Sequence, residues 1–295
     1  MAVCSSQGAV SKLAINGQQI PFSSVKDLSV RNLVDDSDDI ITGFMDPLSE
    51  RVSLGTLDLN LQVRLRPTPL ELTVLLPLMG GTLSVGTWTL DEDVDNSFSV
   101  IVDRVAKVHT YATCYVAAWT LQGQKGTLPW ALDLHLIGTS LTEGAAGSFS
   151  ATALNTDGPY PFTAASSGLS LRSADRVFDR LMLSVNHYSQ AQFENSLTAN
   201  CIDMTKRRTT LALSCPYVAA NTDLFTTPLA ASTGAAGSLT LTKGGQSTAI
   251  SFTNLKEIAR PPDIPAKVAI RLGLFYRAYR TISTKAYSIV HDDAV

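Results

Sequence analysis

Short runs in which hydrophobic and polar residues alternate dominate this sequence. Between positions 51 and 66 the apolar side chains of Leu59, Leu61 and Val63 fall on one face, with polar residues between them. A period of two residues is the pattern of a half-buried β-strand. A mainly β fold is therefore expected, with strands at residues 28–34, 51–66, 98–102, 110–121, 128–137, 181–185, 209–215 and 267–276.

Three short segments have helical character instead. Residues 69–79 begin at a proline and stop before Gly80 and Gly81, which is the usual asymmetry of helix ends. Residues 219–231 are a weaker counterpart, and residues 173–180 are a third candidate. Because these segments are few and short, sheets are expected to carry the fold.

The two halves of the chain repeat the same order of strand, helix, glycine turn and strands at an offset of about 151 positions. Self-similarity over so long a period indicates a duplicated domain, since solenoid repeats are ~20 to 50 residues long. The matched positions are Leu59, Leu61 and Val63 with Leu211, Leu213 and Cys215; Pro77 with Pro228; residues 85–90 with 236–241; and Phe98 and Val100 with Ile250 and Phe252.

A chain of 295 residues has room for two such domains, which we place at residues 1–155 and 156–295. Residues 138–168 are rich in Gly, Ala, Ser and Thr and are predicted to form the surface connection between them. Each domain is expected to be a β-sandwich or half-open barrel with one short flanking α-helix.

The composition favours a protein whose surface is covered by partners, and argues against nucleic-acid binding and a membrane span. Hydrophobic residues make up 45% of the chain and charged residues only 17%, so the surface has few charges and favours burial by partners. The net charge of −3 gives no electrostatic reason to hold nucleic acid. No apolar run approaches the ~20 residues of a membrane span, and the N-terminus lacks a signal-peptide pattern, so synthesis and retention in a cytoplasm are expected.

Motifs for catalysis are missing from the sequence. It contains no GxSxG, GxxxxGK[ST], GxGxxG or HExxH pattern, and the acidic residues 35–39 lack the glycine and distal glutamate of a calcium loop. The cysteines Cys4, Cys114, Cys201 and Cys215 form no CxxC pair and are interpreted as core residues. We therefore expect no enzyme activity, no cofactor and no metal.

Two segments interrupt predicted hairpins at matching places, residues 35–50 in the first half and residues 187–208 in the second. Long hairpin loops in a compact domain usually bind something or are disordered, and one in each half favours a shared contact role. The candidate contact residues are Asp35, Asp36, Asp38, Asp39, Phe44, Met45, Asn195, Asn200, Lys206, Arg207 and Arg208.

A family resemblance rests on the order of these features. Residues 55–81 combine a long alternating strand, an Arg-Pro pair, a short apolar helix and a Gly-Gly stop, and strands at 98–104, 111–116 and 132–138 follow. Residues 181–186, the loop at 193–200 and the strand at 208–217 repeat the theme. Over nearly the whole chain this resembles the tail tube protein of long-tailed bacteriophages in its two-domain form.

The resemblance implies β-sandwiches whose sheets join around a ring, six domains and hence three chains per ring, and stacked rings forming a hollow tube. The loop at 35–50, with 187–208 as its counterpart, would reach the next ring. Partners would be further copies and the tape measure, terminator and baseplate proteins of a virion tail assembled in the host cytoplasm. Double-stranded DNA would pass without specific binding, which a neutral to acidic lumen would ease.

The sequence is also compatible with other functions. A tail terminator, a head-tail connector or a baseplate hub domain would share the fold, and fold alone does not fix function. A carbohydrate-binding β-sandwich would need exposed aromatic residues such as Trp88, although Trp119 and Trp130 lie in alternating strands that favour core packing. The second half is basic in places, and these residues are either a solvated face or a surface that meets the acidic loops of a neighbouring subunit. They are Lys206, Arg207, Arg208, Lys256, Arg260, Lys267, Arg271, Arg277 and Arg280.

Overall fold

The computed structural model describes residues 11–28, 34–35, 51–52, 59–84, 86–90, 96–126, 129–154, 157–192, 201–227, 229, 234–259, 262–263 and 270–292. The mainly β fold expected from the sequence is confirmed, with antiparallel strand pairing throughout the sheets and two short α-helices. The strands of the first half are β1 (Lys12–Ile15), β2 (Gln18–Gln19), β3 (Phe22–Asp27), β4 (Val34–Asp35), β5 (Arg51–Val52), β6 (Leu59–Leu65), β7 (Gly81–Ser84), β8 (Thr87–Leu90), β9 (Phe98–Asp103), β10 (Lys107–Gln124), β11 (Ala131–Gly138) and β12 (Ser140–Ala145).

The second half continues with a similar series. Its strands are β13 (Ser167–Leu171), β14 (Ala174–Asp175), β15 (Arg180–Asn186), β16 (Ser189–Gln192), β17 (Cys201–Met204), β18 (Arg208–Pro216), β19 (Ala235–Lys243), β20 (Gln246–Ala259), β21 (Pro262–Asp263), β22 (Arg271–Ala278) and β23 (Tyr287–Asp292). The helices are α1 (Pro69–Leu75) in the first half and α2 (Thr222–Thr226) in the second.

One sheet runs through both halves, and we call it the continuous sheet. Its order is β3-β6-β11-β10-β15-β18-β22-β20, in which every neighbouring pair is antiparallel. The first four strands come from the first half and the last four from the second. The halves are therefore joined through the hydrogen bonds between β10 and β15.

Each half also has an outer layer packed behind the continuous sheet. In the first half the outer layer has the order β2-β1-β9-β10-β12. In the second half the order is β14-β13-β19-β20-β23, and the first-half hairpin β7-β8 adds to the far side of β23. The long strands β10 and β20 thus belong to both layers of their own half.

The core lies between the layers and follows from the alternation in the sequence. Along β18 the residues alternate strictly between buried and partly exposed, with Leu211, Leu213 and Cys215 inside. Trp88, Trp119 and Trp130 are all fully buried, with Trp88 stacked on Tyr287 at 5.5 Å between ring centroids. Burying one side chain of this size stabilises a fold by ~1.5 to 3 kcal/mol, so these rings anchor the layers to each other.

Helix α1 begins where the sequence predicts. Thr68 and Glu71 form a reciprocal capping box, Pro69 occupies the first turn, and a 3-10 turn at Leu76–Met79 ends at Gly80 with a φ of 91°. Glycine adopts this left-handed conformation without a steric cost. Helix α2 is shorter and its N-cap, Asn221, makes no side-chain capping bond, which agrees with the weaker helical pattern at 219–231.

Two sequence predictions are wrong. Residues 173–180 are not a helix, because Arg172 and Ser173 have positive φ values and turn the chain from β13 into β14. The strand predicted at 28–34 lies mostly outside the described residues, while β3, which precedes it, was not predicted. Residues 138–168 are not only a surface connection, since they contain β12 and the fully buried Tyr160.

Candidate functional site: a continuous sheet with two open edges

The junction between β10 and β15 is a complete antiparallel ladder. It runs from Ala118 opposite Asn186 to Gln124 opposite Arg180. The ladder is extended at one end by the His187 N–H, which donates to the Ala117 carbonyl at 2.9 Å, and at the other by the Lys125 N–H, which donates to the Asp179 carbonyl at 2.7 Å. The two halves are thus joined by the same kind of backbone hydrogen bonding that joins neighbouring strands within one domain.

The outermost strands of the continuous sheet have no such neighbour among the described residues. Within the part of the chain that the structure describes, β3 at one end pairs only with β6, and at the other end β20 and β21 pair with β22 in one common register. The Leu28 N–H donates to the Asn60 carbonyl at 2.8 Å, on the β6 side. Because neighbouring residues of an antiparallel strand point their backbone groups to opposite sides, the N–H groups of Val25 and Asp27 face the open edge.

Matching β-bulges show which residues of the two halves correspond. In β10 the register with β11 shifts between Val116 and Ala118, and in β20 the register with β22 shifts between Glu257 and Ala259. Each bulge lies where a long strand passes from the outer layer into the continuous sheet, as expected for a device that bends a strand. Ala118 therefore corresponds to Ala259.

From this pair, the strand register identifies the matching residues in the rest of the continuous sheet. It changes the residue matches that the sequence repeat predicted. Leu61 matches Leu211 and not Leu213, β9 matches β19 and not the strand of Ile250, and the hairpin β7-β8 has no described counterpart. The residues that correspond at the junction and the open edges are Gln122 and Asp263, Met182 and Lys26, Leu183 and Asp27, and Leu181 and Val25.

The continuous sheet has one buried face and one polar face. In the second half the polar face consists of Arg180, Met182, Ser184, Asn186, Arg208, Thr210, Ala212, Ser214, Lys256, Arg271, Gly273, Phe275 and Arg277. The charged residues in this set are all basic, and by register Asp263 lies on the same face, opposite Arg271. Arg271 has an ion-pair partner in Asp179, with Nε and Oδ2 3.2 Å apart. The overall charge of −3 therefore does not describe this surface.

The polar face of the first half is instead compensated. The Arg64 guanidinium donates twice to the Asp133 carboxylate, at 2.5 and 2.8 Å, and the Gln122 amide donates to the same carboxylate at 2.6 Å. Next to them the His135 ring lies 2.8 Å from the side-chain oxygen of Asn60. Arg64, Asp133 and His135 line a depression of about 360 Å³ together with Lys26, and the charge of Arg64 is neutralised there by Asp133.

The two predicted contact loops leave the continuous sheet at the same end. Residues 28–58 connect β3 to β6 and residues 187–207 connect β15 to β18, so both loops join corresponding strands. Each loop contains a short ladder, β4-β5 in the first and β16-β17 in the second. Both loops therefore connect corresponding strands, and their contact role stays a prediction.

The structure describes only some of the predicted contact residues. Asp35 lies in β4 opposite Arg51, and Lys206 is exposed with its ammonium 6.0 Å from the centre of the Tyr188 ring. Arg208 is exposed at the start of β18. The others, which lie outside the described residues, are Asp36, Asp38, Asp39, Phe44, Met45, Asn195 and Asn200.

Arg207 plays a part that the sequence did not indicate. Its Nε donates to Nδ1 of His187 at 3.3 Å, and His187 is almost fully buried at the end of the junction. Burial, together with the charge of Arg207, lowers the pKa of His187 to about 3. The imidazole is therefore neutral at ordinary pH, because a proton there would be both desolvated and repelled.

Cysteine and tryptophan positions bear on the other functions considered. Cys114 and Cys215 are buried as predicted, burial raises the pKa of both thiols to about 12, and Cys201 is exposed, contrary to the prediction. None of the three tryptophans is on the surface, so they offer no platform for stacking a sugar ring. None of the helices in the described ranges is long and apolar enough to cross a membrane.

A family model described as "Phage tail tube protein" matches residues 33–272. The chain therefore belongs to the phage tail tube protein family, and it is a structural protein of the virion tail. A search of curated proteins found no match.

Proposed function

We propose that this chain forms rings of three subunits that stack into the tail tube, and that the polar face of the continuous sheet lines the lumen. The observation that carries the proposal is the continuous sheet itself, which is closed inside the chain at β10-β15 and open at β3 and β20-β21. The two open strands are the counterparts of the two strands that meet at the junction. The β20-β21 edge of one subunit can therefore pair with β3 of a second subunit in the way that β10 pairs with β15 inside the chain.

Open edges are a liability that soluble proteins usually shield, so a pair of edges that complement each other favours ring closure. Three chains of eight strands give a closed sheet of about 24 strands, and at ~4.8 Å per strand its circumference is at least ~115 Å. Barrels of about 16 to 18 strands already enclose an aqueous channel, so this ring would have an open lumen.

The correspondence between halves also gives the register at the ring contact. Gln122 lies opposite Met182 at the junction, and their counterparts are Asp263 and Lys26. In the ring, Asp263 of one subunit would then lie opposite Lys26 of the next. Opposite charges at facing positions of an antiparallel pair add a stabilising contact of ~0.2 to 1 kcal/mol.

Disulfide trapping tests this register. The variant Lys26→Cys with Asp263→Cys is made in a background with Cys4→Ser and Cys201→Ser, and assembled protein is oxidised. We expect covalent dimers and trimers on a non-reducing gel, no larger species, and collapse to monomers on reduction. Directly opposite residues in such pairs have Cβ atoms ~4.5 to 5.5 Å apart, close to the separation that a disulfide needs.

The junction supplies the matched control. Gln122→Cys with Met182→Cys places the same pair inside one chain, so oxidation should give a monomer that migrates faster without forming oligomers. A ladder that continues beyond three chains would contradict the three-subunit ring. Tubes seen by negative-stain electron microscopy without any trapping would contradict the register.

The domain division at residue 155 and the stacking role of the loops belong to the same proposal. The first loop carries acidic residues at 35–39 and the second carries basic residues at 206–208, so the two could attract each other across stacked rings. Replacing residues 189–204 by a short glycine-serine turn should leave rings intact and stop their stacking. Tubes of normal length from this variant would refute the stacking role.

A further inference from the structure

Four basic side chains on the second-half polar face lie in two groups. Lys256 lies directly opposite Arg277 across β20-β22, and Arg208 is diagonal to Arg277 across β18-β22. Arg180 lies near the other end of β15, beside Arg64 and Arg66 around a depression of about 220 Å³. The face is basic at both ends of the sheet.

In the first group, Lys256 and Arg277 repel each other, and both are stabilised by contact with the same aromatic ring. The Lys256 ammonium lies 5.5 Å and the Arg277 guanidinium carbon 5.2 Å from the centre of the same ring, that of Tyr279. Like charges directly opposite each other across a strand pair are destabilising. An anion placed between them would remove this repulsion, and Tyr279 would still support both cations from the side.

From these positions we infer that the second-half polar face binds the phosphate backbone of double-stranded DNA without reading its sequence. The inference rests on the proposed function, because only ring closure turns this face toward a lumen that a long polyanion can follow. Arginine predominates in the set, and its planar guanidinium suits bidentate contact with phosphate oxygens. Between the arginines lie Ser184, Asn186 and Thr210, which are side chains of the types that also contact phosphates.

This reverses the expectation of a neutral to acidic lumen. The net charge of the chain averages over all surfaces, whereas a phosphate meets only the face in front of it. In the first half, Asp133 forms an ion pair with Arg64 and weakens the attraction of Arg64 for an anion. In the second half the acidic residues Asp179 and Asp263 lie beside Arg271, so attraction concentrates on Arg208, Lys256 and Arg277 at the other end of the sheet.

The test compares two variants of equal net charge. The face variant carries Arg180→Gln, Arg208→Gln, Lys256→Gln and Arg277→Gln. The control carries Lys12→Gln, Lys107→Gln, Lys243→Gln and Lys285→Gln, which lie in or beside the outer layers. Binding of a short labelled duplex to the unassembled protein is followed by fluorescence anisotropy between about 50 and 200 mM salt.

We expect the face variant to bind at least about tenfold more weakly at the lowest salt, with a log-log salt slope smaller by about three to four, or roughly one per lost phosphate contact. The control should stay within about twofold of the natural chain. Equal weakening of both variants, or no binding by the natural chain, would overturn the inference. Equally strong competition by polyglutamate would overturn it as well and assign the face to an acidic protein partner.

Electron microscopy of the same variants separates this inference from the proposed ring. If the face variant forms normal tubes but binds DNA like the natural chain, the inference fails and the ring stands. If the trapped Lys26 and Asp263 pair fails to form, the ring fails whatever the DNA result.

Discussion

The β10-β15 junction and the open edge of β3 present the same strand position in two situations. At the junction Leu181 is buried and its strand is bonded on both sides, whereas Val25 occupies the corresponding place on a strand with one bonded side. The β10-β15 junction therefore shows, within one chain, the strand pairing that the proposed ring would need between chains. A change at the junction should affect folding, and the same change at the edge should affect assembly.

The largest effect is expected from proline at these two positions. Leu181→Pro removes an N–H from the β10-β15 ladder and a buried side chain, which should lower the free energy of unfolding by more than ~3 kcal/mol. Val25→Pro removes an N–H that faces the open edge, so it should cost the isolated chain ~1 kcal/mol or less and abolish rings. Urea unfolding and electron microscopy of both variants check this pair, and equal destabilisation would contradict the comparison.

A pH effect remote from the junction provides the next largest change. Burial raises the pKa of Glu71 to about 7, above its ordinary value of 4.5. The folded chain therefore holds this proton longer than the unfolded chain, and the stability that this supplies is lost as pH rises through 7. The shift corresponds to ~3 kcal/mol between pH 4.5 and 8. In Glu71→Gln this part of the stability-pH curve should flatten, as urea midpoints measured across the range would reveal.

At the junction itself the pH effect has the opposite sign. His187 ends the ladder, and its pKa of about 3 lies below the ordinary 6.5. The unfolded chain takes up the proton first, so stability falls as pH drops from 6.5 toward 3. At pH 5 the loss should be ~2 kcal/mol relative to pH 7. His187→Gln should remove this acid-dependent loss without altering the slope above pH 7, and an unchanged acid limb would show that other groups cause it.

The smallest effect concerns the polar side of the junction. The Thr120 and Ser184 hydroxyls lie 2.9 Å apart across the ladder and are partly buried. Thr120→Val keeps the shape and removes this hydrogen bond, which should cost ~0.5 to 1.5 kcal/mol. Thermal unfolding of Thr120→Val, Ser184→Ala and the double variant would isolate the pairwise term. Additive losses would mean that the two hydroxyls do not interact.

Strands with buried alternating residues were the predictable part of the fold. The strands β6, β9, β10 and β18 follow directly from their apolar period, whereas β12 escaped because its residues are all exposed or partly exposed and it lies in a segment rich in Gly, Ser and Thr. The strand β3 was not predicted, because Phe22 and Val25 are the only large apolar residues in it.

The sequence indicated that the second half is basic in places, but not which of its basic residues share one face. Arg208, Lys256 and Arg277 come from three separate strands, and only the strand register brings them together. The net charge of −3 argued only against binding of nucleic acid. The two loops, in contrast, could be predicted because each interrupts the alternating pattern of a predicted hairpin in the sequence itself.

The hairpin β7-β8 of the first half completes the outer layer of the second by pairing with β23, and the Trp88 indole N–H at its centre donates to the Leu76 carbonyl at 2.6 Å. If the halves were made as two separate chains, Trp88 would lose its stacking partner Tyr287 on one product and β23 would have an unpaired side on the other. The two halves therefore depend on being parts of one chain.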